Sequence, residues 1–368
     1  MNRPLRSVLL VADRLGVHDD GWSVAPFLDR LEGQGLDAQM LCIEAAGDAA
    51  TDRRVVGCPG LGIRWRLPLA VRNLRFGERL NRPALLHALH GRLGEATLAI
   101  AEHWGIPYVL TLDEFLPPHG RLRVSRRWCR RLIATSRELA DELGTQLHIP
   151  AERIVLVNPG LDSPAETTPR PSDHQVAVIG TAGPLVAGSG FATFLNAARR
   201  VIDAGLDAEF VIAGQGEDEV DLRRRADRLK IADRVTFAGI PVVGLRFWSV
   251  LDVFCQPSLV PSVGRTLATA LAFGVPSVAS DIQGLRALVD HERTGLRVPP
   301  GDSTALARAI DLLLADPPGA RALGQEGRAM ILRDFCPDDE ARCLADVYAE
   351  ALDAPAVSPW TPVAASSS

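Results

Sequence analysis

The 368-residue sequence has no apolar run long enough to cross a membrane. It also begins without a recognisable secretory leader. The short apolar segment in "MNRPLRSVLLVADRLG" ends at Asp13 and Arg14, and no small-residue cleavage site follows it. These two absences predict a cytoplasmic protein.

Paired cysteines and an excess of charge of one sign are missing as well. The six cysteines are scattered and form no C-x-x-C pair, which argues against disulfides and zinc and predicts reduced thiols in the core. We therefore expect no metal and no metal cofactor. With 23% charged residues and a net charge of −5, the composition excludes a generic duplex-binding protein, so no nucleic-acid partner is predicted.

What the sequence does contain is an alternation of short apolar runs with longer amphipathic stretches. This pattern is typical of βαβ units, in which helices cover both faces of a parallel sheet, and it predicts the α/β class. A length of 368 residues suits two domains. In the first half, strands are predicted at 7–12, 38–43, 84–88, 108–112, 132–135 and 154–157, and helices at 23–34, 93–104 and 136–147.

The stretch "NPGLDSPAETTPRPSDH" (158–174) breaks this alternation with Pro, Ser, Thr and Asp, and it predicts an interdomain linker. A second series of strand-like runs follows it, with predicted helices at 191–204, 219–230, 266–273, 285–290, 303–314 and 320–333. The predicted divisions are an N-terminal domain at 1–160, a linker at 161–175, a C-terminal domain at 176–335, a helix at 336–353 and a disordered tail at 354–368. The apolar residues of the last helix recur at helical spacing, so one of its faces should pack on a domain.

Four motifs of the second half follow one another in a specific order. They are "VIAGQGEDEVDLRRRADRLKIADRVTFAGI", "LDVFCQPS", "ALAFGVPSVASDIQG" and "HERTGLRVPPGDSTALARAI". Together with "SVLLVADRLG", "ALLHALH" and "HWGIPYVLTLDEF" of the first half, they make the chain resemble family 4 of the retaining glycosyltransferases, also called group 1. The resemblance covers most of the chain. It implies the GT-B fold, in which two Rossmann-like domains face each other across a cleft, the first on the acceptor side and the second on the nucleotide-sugar side.

The chain departs from this family at the positions that carry its charge. The resemblance implies an Arg and a Lys on "GTAGPLVAGSGF" (180–191), where they would stabilise the diphosphate that leaves during sugar transfer, but the chain has Thr181 or Ala182, and Ser189. It also implies two glutamates separated by seven residues. Their positions hold Pro261 and Thr269.

Two further signature positions differ. A third acidic position corresponds to Ala287, and the histidine of the family's T-x-H motif corresponds to Asp113 in "TLDEF". Asp113 is accordingly the candidate catalytic residue, with the donor sugar or the acceptor as its target. Since a charge-assisted hydrogen bond contributes about 1.5–3 kcal/mol, several such losses without replacement should abolish ordinary donor binding.

One compensation is visible in "GRTLATALAFGVPSVASD" (264–281). A glycine at a helix start, facing the end of a parallel sheet, suits a phosphate, so Gly264, Arg265 and Thr266 are candidate nucleotide-sugar ligands, with Thr269 on the same helix. Arg286 would add a second cation. The alternative is that Arg265 is a solvated residue near the helix cap and that Gly264 only permits a close approach of the chain.

Three other glycines and three histidines have two interpretations each. Gly214 and Gly216 of "GQGE" would line a nucleotide base, and Gly21 would open the acceptor side, although glycine-rich turns of this kind occur in every doubly wound sheet. The histidines with no partner evident in the sequence, interpreted as structural or solvent-facing, are His87, His90 and His119.

The run "RLRVSRRWCRR" (121–131) clusters arginines around Trp128. As a helix it would offer a basic surface to anionic lipid or to a polyanionic acceptor, which would give peripheral contact with the inner membrane face. The alternative is a solvated charged face. The residues concerned are Arg121, Arg123, Arg126, Arg127, Trp128, Arg130 and Arg131.

Two hypotheses of function follow from the resemblance and the departures. The first is a divergent transferase that moves a sugar from a nucleotide sugar to a glycan or lipid acceptor, with the donor as substrate and no cofactor. The second is a GT-B scaffold without catalysis, which binds a glycan or a partner transferase. Because the fold alone does not decide between them, the geometry of the site carries the argument.

Overall fold

The computed structural model describes residues 6–15, 23–77, 80–115, 122–146, 149–162, 176–239 and 245–353. The strands are β1 (Arg6–Leu15), β2 (Leu36–Ala45), β3 (Val55–Gly57), β4 (Leu85–Ala88), β5 (Tyr108–Leu112), β6 (Cys129–Ala134), β7 (Ile154–Leu156), β8 (Ala177–Ala182), β9 (Ala208–Ala213), β10 (Val235–Phe237), β11 (Val253–Gln256), β12 (Ser277–Ser280) and β13 (Leu296–Val298). The helices are α1 (Val24–Gly33), α2 (Leu67–Asn73), α3 (Gly94–Trp104), α4 (Arg137–Gln146), α5 (Phe191–Asp203), α6 (Glu219–Arg228), α7 (Leu245–Val250), α8 (Arg265–Ala272), α9 (Leu285–Leu288), α10 (Ser303–Ala315), α11 (Pro317–Asp334) and α12 (Pro337–Asp353).

The chain divides into two compact units. Unit 1 comprises the described residues up to Gly160 together with Pro337–Asp353, and unit 2 comprises the described residues of Leu161–Cys336. Unit 1 contains a parallel seven-stranded sheet of order β3-β2-β1-β4-β5-β6-β7, and unit 2 a parallel six-stranded sheet of order β10-β9-β8-β11-β12-β13. Both are doubly wound Rossmann-like sheets, so the predicted α/β fold of GT-B type is confirmed.

Several central strands are buried along their whole length, which is why short apolar runs predicted them. Every residue of β5 is buried, as is every residue of β11 and β12. A parallel strand covered by helices on both faces needs a continuous apolar run rather than an alternating one. The predicted strand runs at 108–112 and in "LDVFCQPS" and "PSVAS" meet this requirement.

All six cysteines are free thiols, and Cys42, Cys129 and Cys255 are buried. Burial raises the pKa of the Cys129 thiol to about 12. The expectation of reduced thiols in the core is confirmed for these three.

Helix α12 belongs to unit 1, although the whole of unit 2 separates it from the rest of that unit in sequence. Its apolar face is buried with Val8, Phe27 and Leu28 of β1 and α1, in agreement with the predicted amphipathic spacing. The buried residues of α12 are Ala341, Leu344, Val347, Tyr348 and Ala351.

A buried histidine ties α12 to the sheet. His87 on β4 lies with Nδ1 2.6 Å from the Tyr348 hydroxyl and Nε2 2.7 Å from the Thr111 hydroxyl of β5. Burial, with a smaller contribution from nearby His90, lowers the pKa of His87 from 6.5 to about 3. The neutral ring therefore donates one hydrogen bond and accepts the other, and the structural interpretation of His87 is the correct one.

This histidine should make unit 1 less stable in mild acid. The folded pKa lies below the unfolded one, so stability is complete above about pH 6.5 and falls as the pH drops toward 3, by up to ~1.4 kcal/mol per pH unit. We expect His87→Gln to flatten this dependence between pH 6.5 and 5, measured by urea denaturation. His103→Gln, an exposed histidine of α3, is the matched control, and an equal flattening in both variants would contradict the assignment.

Candidate active site

The strand orders place one switch point in each sheet. In unit 1, β1 lies between β2 and β4, and in unit 2, β8 lies between β9 and β11. Open parallel sheets bind ligands outside the carboxyl ends of the strands at such points. The residues that follow β4, β8 and β11 are therefore the strongest candidates, and those that follow β5 lie next to β4 at the same edge.

The loop after β8 is neutral. Thr181 and Ala182 are buried at the end of β8, and the Ser189 hydroxyl donates a hydrogen bond to the Pro184 carbonyl at 2.7 Å. At Gly190 a Cβ would lie 1.8 Å from the Pro257 carbonyl oxygen, so this loop runs directly against the segment after β11. No cation on the loop itself can neutralise a diphosphate.

Two buried polar atoms face no partner in the described part of the chain at this switch point. They are Oγ1 of Thr181, which is fully buried, and Oε1 of Gln256, whose residue is 9% exposed. The Gln256 amide nitrogen donates to the Ser258 hydroxyl at 3.0 Å, which fixes the side chain. Val253 pairs with Ile179 and Phe254 with Gly180, so the two atoms lie at the carboxyl ends of adjacent strands. Sequence reasoning missed Gln256, although its position at the end of "LDVFCQ" beside β8 was a usable signal.

Helix α8 begins at this same edge. Its N-cap Gly264 has φ +72°, and a Cβ there would lie 2.6 Å from the leucine side chains of α9. The glycine is thus required by backbone conformation and by packing against Leu285 and Leu288, whatever it binds. The first amides of a helix have no acceptor within the helix, so a ligand anion is suited to them.

Arg265, the first residue of α8, is half-buried. Its Nε lies beneath the surface without a hydrogen-bond partner among the described residues, which distinguishes it from a fully solvated cap residue. Thr266 is half-buried beside it. The Thr269 hydroxyl donates back to the Arg265 carbonyl at 3.0 Å, so its hydrogen is already used inside the helix.

The second predicted cation is paired. Arg286 donates through Nε to the Asp281 carboxylate at 2.7 Å and through Nη2 to the Asp281 carbonyl at 3.0 Å. Arg297 reaches the same carboxylate oxygen at 3.3 Å. Two guanidinium groups therefore share one carboxylate, which leaves a local surplus of positive charge just after β12.

Gly214 and Gly216 serve the packing of two loops. A Cβ on Gly214 would lie 1.9 Å from the Gly183 carbonyl oxygen, and one on Gly216 would lie 2.3 Å from that of Leu185. The Leu185 amide donates to the Gln215 carbonyl at 2.9 Å. These contacts account for both glycines without a ligand, and their contact with a base stays a prediction.

In unit 1 the structure brings together two residues that are 23 positions apart. His90, just after β4, lies with Nδ1 2.7 Å from Oδ2 of Asp113, just after β5. The Gly91 amide is 3.4 Å from the other carboxylate oxygen. Because a carboxylate only accepts, His90 Nδ1 carries the proton and Nε2 is left as the acceptor. The His90 side chain is 26% exposed and that of Asp113 14%.

This pair is an oriented imidazole at the edge of the sheet where ligands bind. A general base needs a ring nitrogen free to accept a proton and a partner that fixes the tautomer, and His90 and Asp113 supply both. Asp113 and His90 thus each have a partner that could not be assigned from the sequence, while the role of His90 stays a prediction. Gly21 and His119 lie outside the described residues.

The basic run around Trp128 is not a helix where the structure describes it, and its contact with a membrane stays a prediction. Residues 126–128 form a turn and β6 begins at Cys129, which buries Arg130 in the sheet. Burial lowers the pKa of the Arg130 guanidinium, with help from neighbouring Arg153 and Arg131. Arg123 forms an ion pair with Glu95 at 3.2 Å, and Arg131 forms one with Glu350 at 3.4 Å. The Arg127 guanidinium lies 4.8 Å from the centroid of the half-buried Trp128 ring. Arg126 is exposed, and Arg121 lies outside the described residues.

Across the described ranges, no three His, Cys, Asp or Glu side chains gather as a metal site, and no helix has the length and apolarity to span a bilayer. That the reaction needs no metal, and that the protein is cytoplasmic, stay predictions.

Family models match both units. "Glycosyltransferase Family 4" matches residues 22–163, and "Glycosyl transferases group 1" matches residues 176–316. A D-inositol 3-phosphate glycosyltransferase of Mycobacteroides abscessus is 30% identical over 306 residues, which cover 73% of this chain and 68% of that protein. The chain belongs to the family 4 glycosyltransferases. The family resemblance is confirmed, while the retaining outcome and the divergence at signature positions stay predictions.

Two further comparisons agree with this family 4 assignment. A 2-deoxystreptamine glucosyltransferase of Streptomyces kanamyceticus is 26% identical over 323 residues, covering 77% of this chain and 81% of that protein. The structure of Anabaena HepE in complex with UDP-glucose superposes with a TM-score of 0.75 at 18% identity, covering 93% of this chain and 99% of that one. At that identity the superposition supports the fold.

Proposed function

We propose that the protein transfers a sugar from a nucleotide-sugar donor to a hydroxyl group of a glycan or lipid-linked acceptor. The observation that carries the proposal is the family match on both units, since each of the two sheets has its own matching model. Sugar transfer forms a bond between the acceptor oxygen and the anomeric carbon and breaks the bond from that carbon to the diphosphate. The diphosphate leaves with the electron pair, and the acceptor proton must go to a base.

The edge of unit 2 supports the donor half of this reaction. Negative charge grows on the leaving diphosphate, and helix amides and guanidinium groups are suited to stabilise it. We assign this task to the first amides of α8 and to Arg265, whose Nε has no described partner. Arg286 and Arg297 add positive potential nearby because they share Asp281. This set would substitute for the two cations missing from the loop after β8.

The edge of unit 1 supports the acceptor half. We assign His90 as the group that takes the acceptor proton on Nε2, and Asp113 as the residue that holds the ring and stabilises the imidazolium. A histidine ring with one nitrogen hydrogen-bonded to a carboxylate and the other able to accept is suited to take up a proton from an acceptor hydroxyl.

The relatives suggest where to look for substrates. One is named for 2-deoxystreptamine, another for D-inositol 3-phosphate, and a superposable structure holds UDP-glucose. We propose UDP- and GDP-sugars as the donors to test first, and we add polyhydroxylated small molecules to the glycan and lipid acceptors.

The test is an assay of nucleoside diphosphate release with UDP-glucose, UDP-N-acetylglucosamine and GDP-mannose as donors. The acceptor panel includes 2-deoxystreptamine and D-inositol 3-phosphate. Transfer should give a product heavier by one sugar in mass spectrometry, and added EDTA should leave the rate unchanged. Arg293→Ala, which alters an exposed arginine paired with Asp290 in the same unit, is the control and should turn over normally. If no donor is consumed and neither UDP nor GDP binds, the transferase proposal fails in favour of the scaffold hypothesis.

A further inference from the structure

A surface of unit 1 carries exposed apolar side chains outside any site described above. It comprises residues 64–76, around α2, and is called the Trp65 surface. Trp65 is 77% exposed, Leu69 61% and Phe76 37%. A tryptophan this exposed is unusual on a protein that has only water as its neighbour, because its ring buries much apolar area when covered.

The core does not need these side chains. The inner face of α2 already packs on the core of unit 1 through Val71, which is buried, and through Leu67, Ala70 and Leu74, which are half-buried. Phe76 is held in place by the ring of Trp104, with centroids 4.5 Å apart. The Trp65 surface therefore adds exposed apolar side chains just before, on and just after a helix whose core side is complete.

The charged residues of this segment are all arginines. Arg64, Arg66, Arg72 and Arg75 are all exposed, and residues 53–77 contain no Asp or Glu. None of these four arginines makes an ion pair with a described residue, whereas Arg92, Arg123, Arg224, Arg293 and Arg333 elsewhere on the surface do. The Arg66 guanidinium lies 4.5 Å from the centroid of the Trp65 ring, an arrangement that keeps the cation beside the apolar group.

We propose that the Trp65 surface docks the protein on a bilayer that contains anionic lipid. Tryptophan favours the depth of the lipid headgroups, Leu69 reaches the acyl boundary, and the unpaired arginines are attracted by the negative surface potential. A nucleic acid would favour the arginines and Trp65 but would gain nothing from an exposed leucine. The proposal is independent of catalysis, and it moves the membrane contact from the run at 121–131 to the helix α2.

The test is co-sedimentation of the full chain with phosphatidylcholine vesicles, with and without phosphatidylglycerol. We expect binding to the phosphatidylglycerol vesicles that weakens as salt is raised. The triple variant Arg64→Gln, Arg66→Gln, Arg72→Gln should bind less by about fivefold for each arginine, so on the order of a hundredfold in total. Leu69→Ser tests the apolar contribution, and brominated lipid should quench fluorescence in the wild type but less so in Trp65→Phe.

The matched control is Arg224→Gln, Arg293→Gln, Arg333→Gln, which removes the same charge from exposed sites of unit 2. All variants change exposed side chains and should keep the unfolding temperature of the wild type. Equal loss in both triple variants, or equal recovery with neutral vesicles, would overturn the proposal. A third result would also overturn it. If the wild type bound heparin or RNA but no vesicles, and the first triple variant lost that binding, the partner would be a polyanion and not a bilayer.

Discussion

Replacing His90 with alanine is expected to lower kcat by about 10²–10⁴-fold, the contribution of a well-placed general base. The reason is the geometry at the edge of unit 1, where Nδ1 is committed to Asp113 and Nε2 is the acceptor that remains. KM for the donor should change little, because the donor is assigned to unit 2. Steady-state kinetics with saturating donor measures this.

Asp113→Asn refines the test because it keeps the size of the side chain and removes the acceptor that fixes the tautomer. It should also lower kcat, by less than His90→Ala. His103→Ala, an exposed histidine on α3 of the same unit, should behave as the wild type. Normal turnover by His90→Ala would exclude the imidazole as the base. If the product then retained the configuration of the donor sugar, the leaving diphosphate would be the group that takes the proton.

Replacing Arg265 with alanine is expected to weaken UDP or GDP binding by about 10- to 150-fold, since a hydrogen bond to a charged group contributes about 1.5–3 kcal/mol. Arg265 stands at the start of α8, where the amides favour the same anion, and its Nε has no described partner that the substitution would leave unpaired. Isothermal titration calorimetry on the wild type and the variant measures the change. Arg265→Lys should recover part of the affinity, because it restores the charge without the planar donors.

Arg293→Ala is again the control, since it removes an equal charge from the same unit. The unfolding temperature of each variant shows whether α8 remains folded. If Arg265→Ala bound UDP and GDP as tightly as the wild type, Arg265 would not be a donor ligand. The assignment to family 4 would be unaffected.

The fold was accessible from the sequence because its main determinant is local. Buried parallel strands need apolar runs, and helices such as α5 and α10 repeat their apolar residues at helical spacing. The elements that were missed are short. Strand β3 has three residues and none is buried, and α2 carries Pro68 and the exposed Leu69, which obscure its periodicity.

The candidate site was accessible only in part, because most of its contacts join distant positions. The glycine-capped start of α8 could be predicted, since the cap and the first residues are adjacent in sequence. The partnership of His90 with Asp113 depends on β4 and β5 being neighbours in the sheet and ending at the same edge. Arg286 and Asp281 are close in sequence, so their ion pair could have been predicted. The local net charge also depends on Arg297 of β13, which binds the same carboxylate and is distant in sequence.

The return of α12 to unit 1 means that this unit is completed last during biosynthesis. The strands of both units are translated before Pro337, whereas Tyr348, which contacts His87 on β4, is translated after all of them. Until then the ring of His87 lacks its hydroxyl partner, and the apolar groove over β1 and α1 stays uncovered. Nascent chains halted before α12 should therefore be the form that chaperones hold and proteases remove.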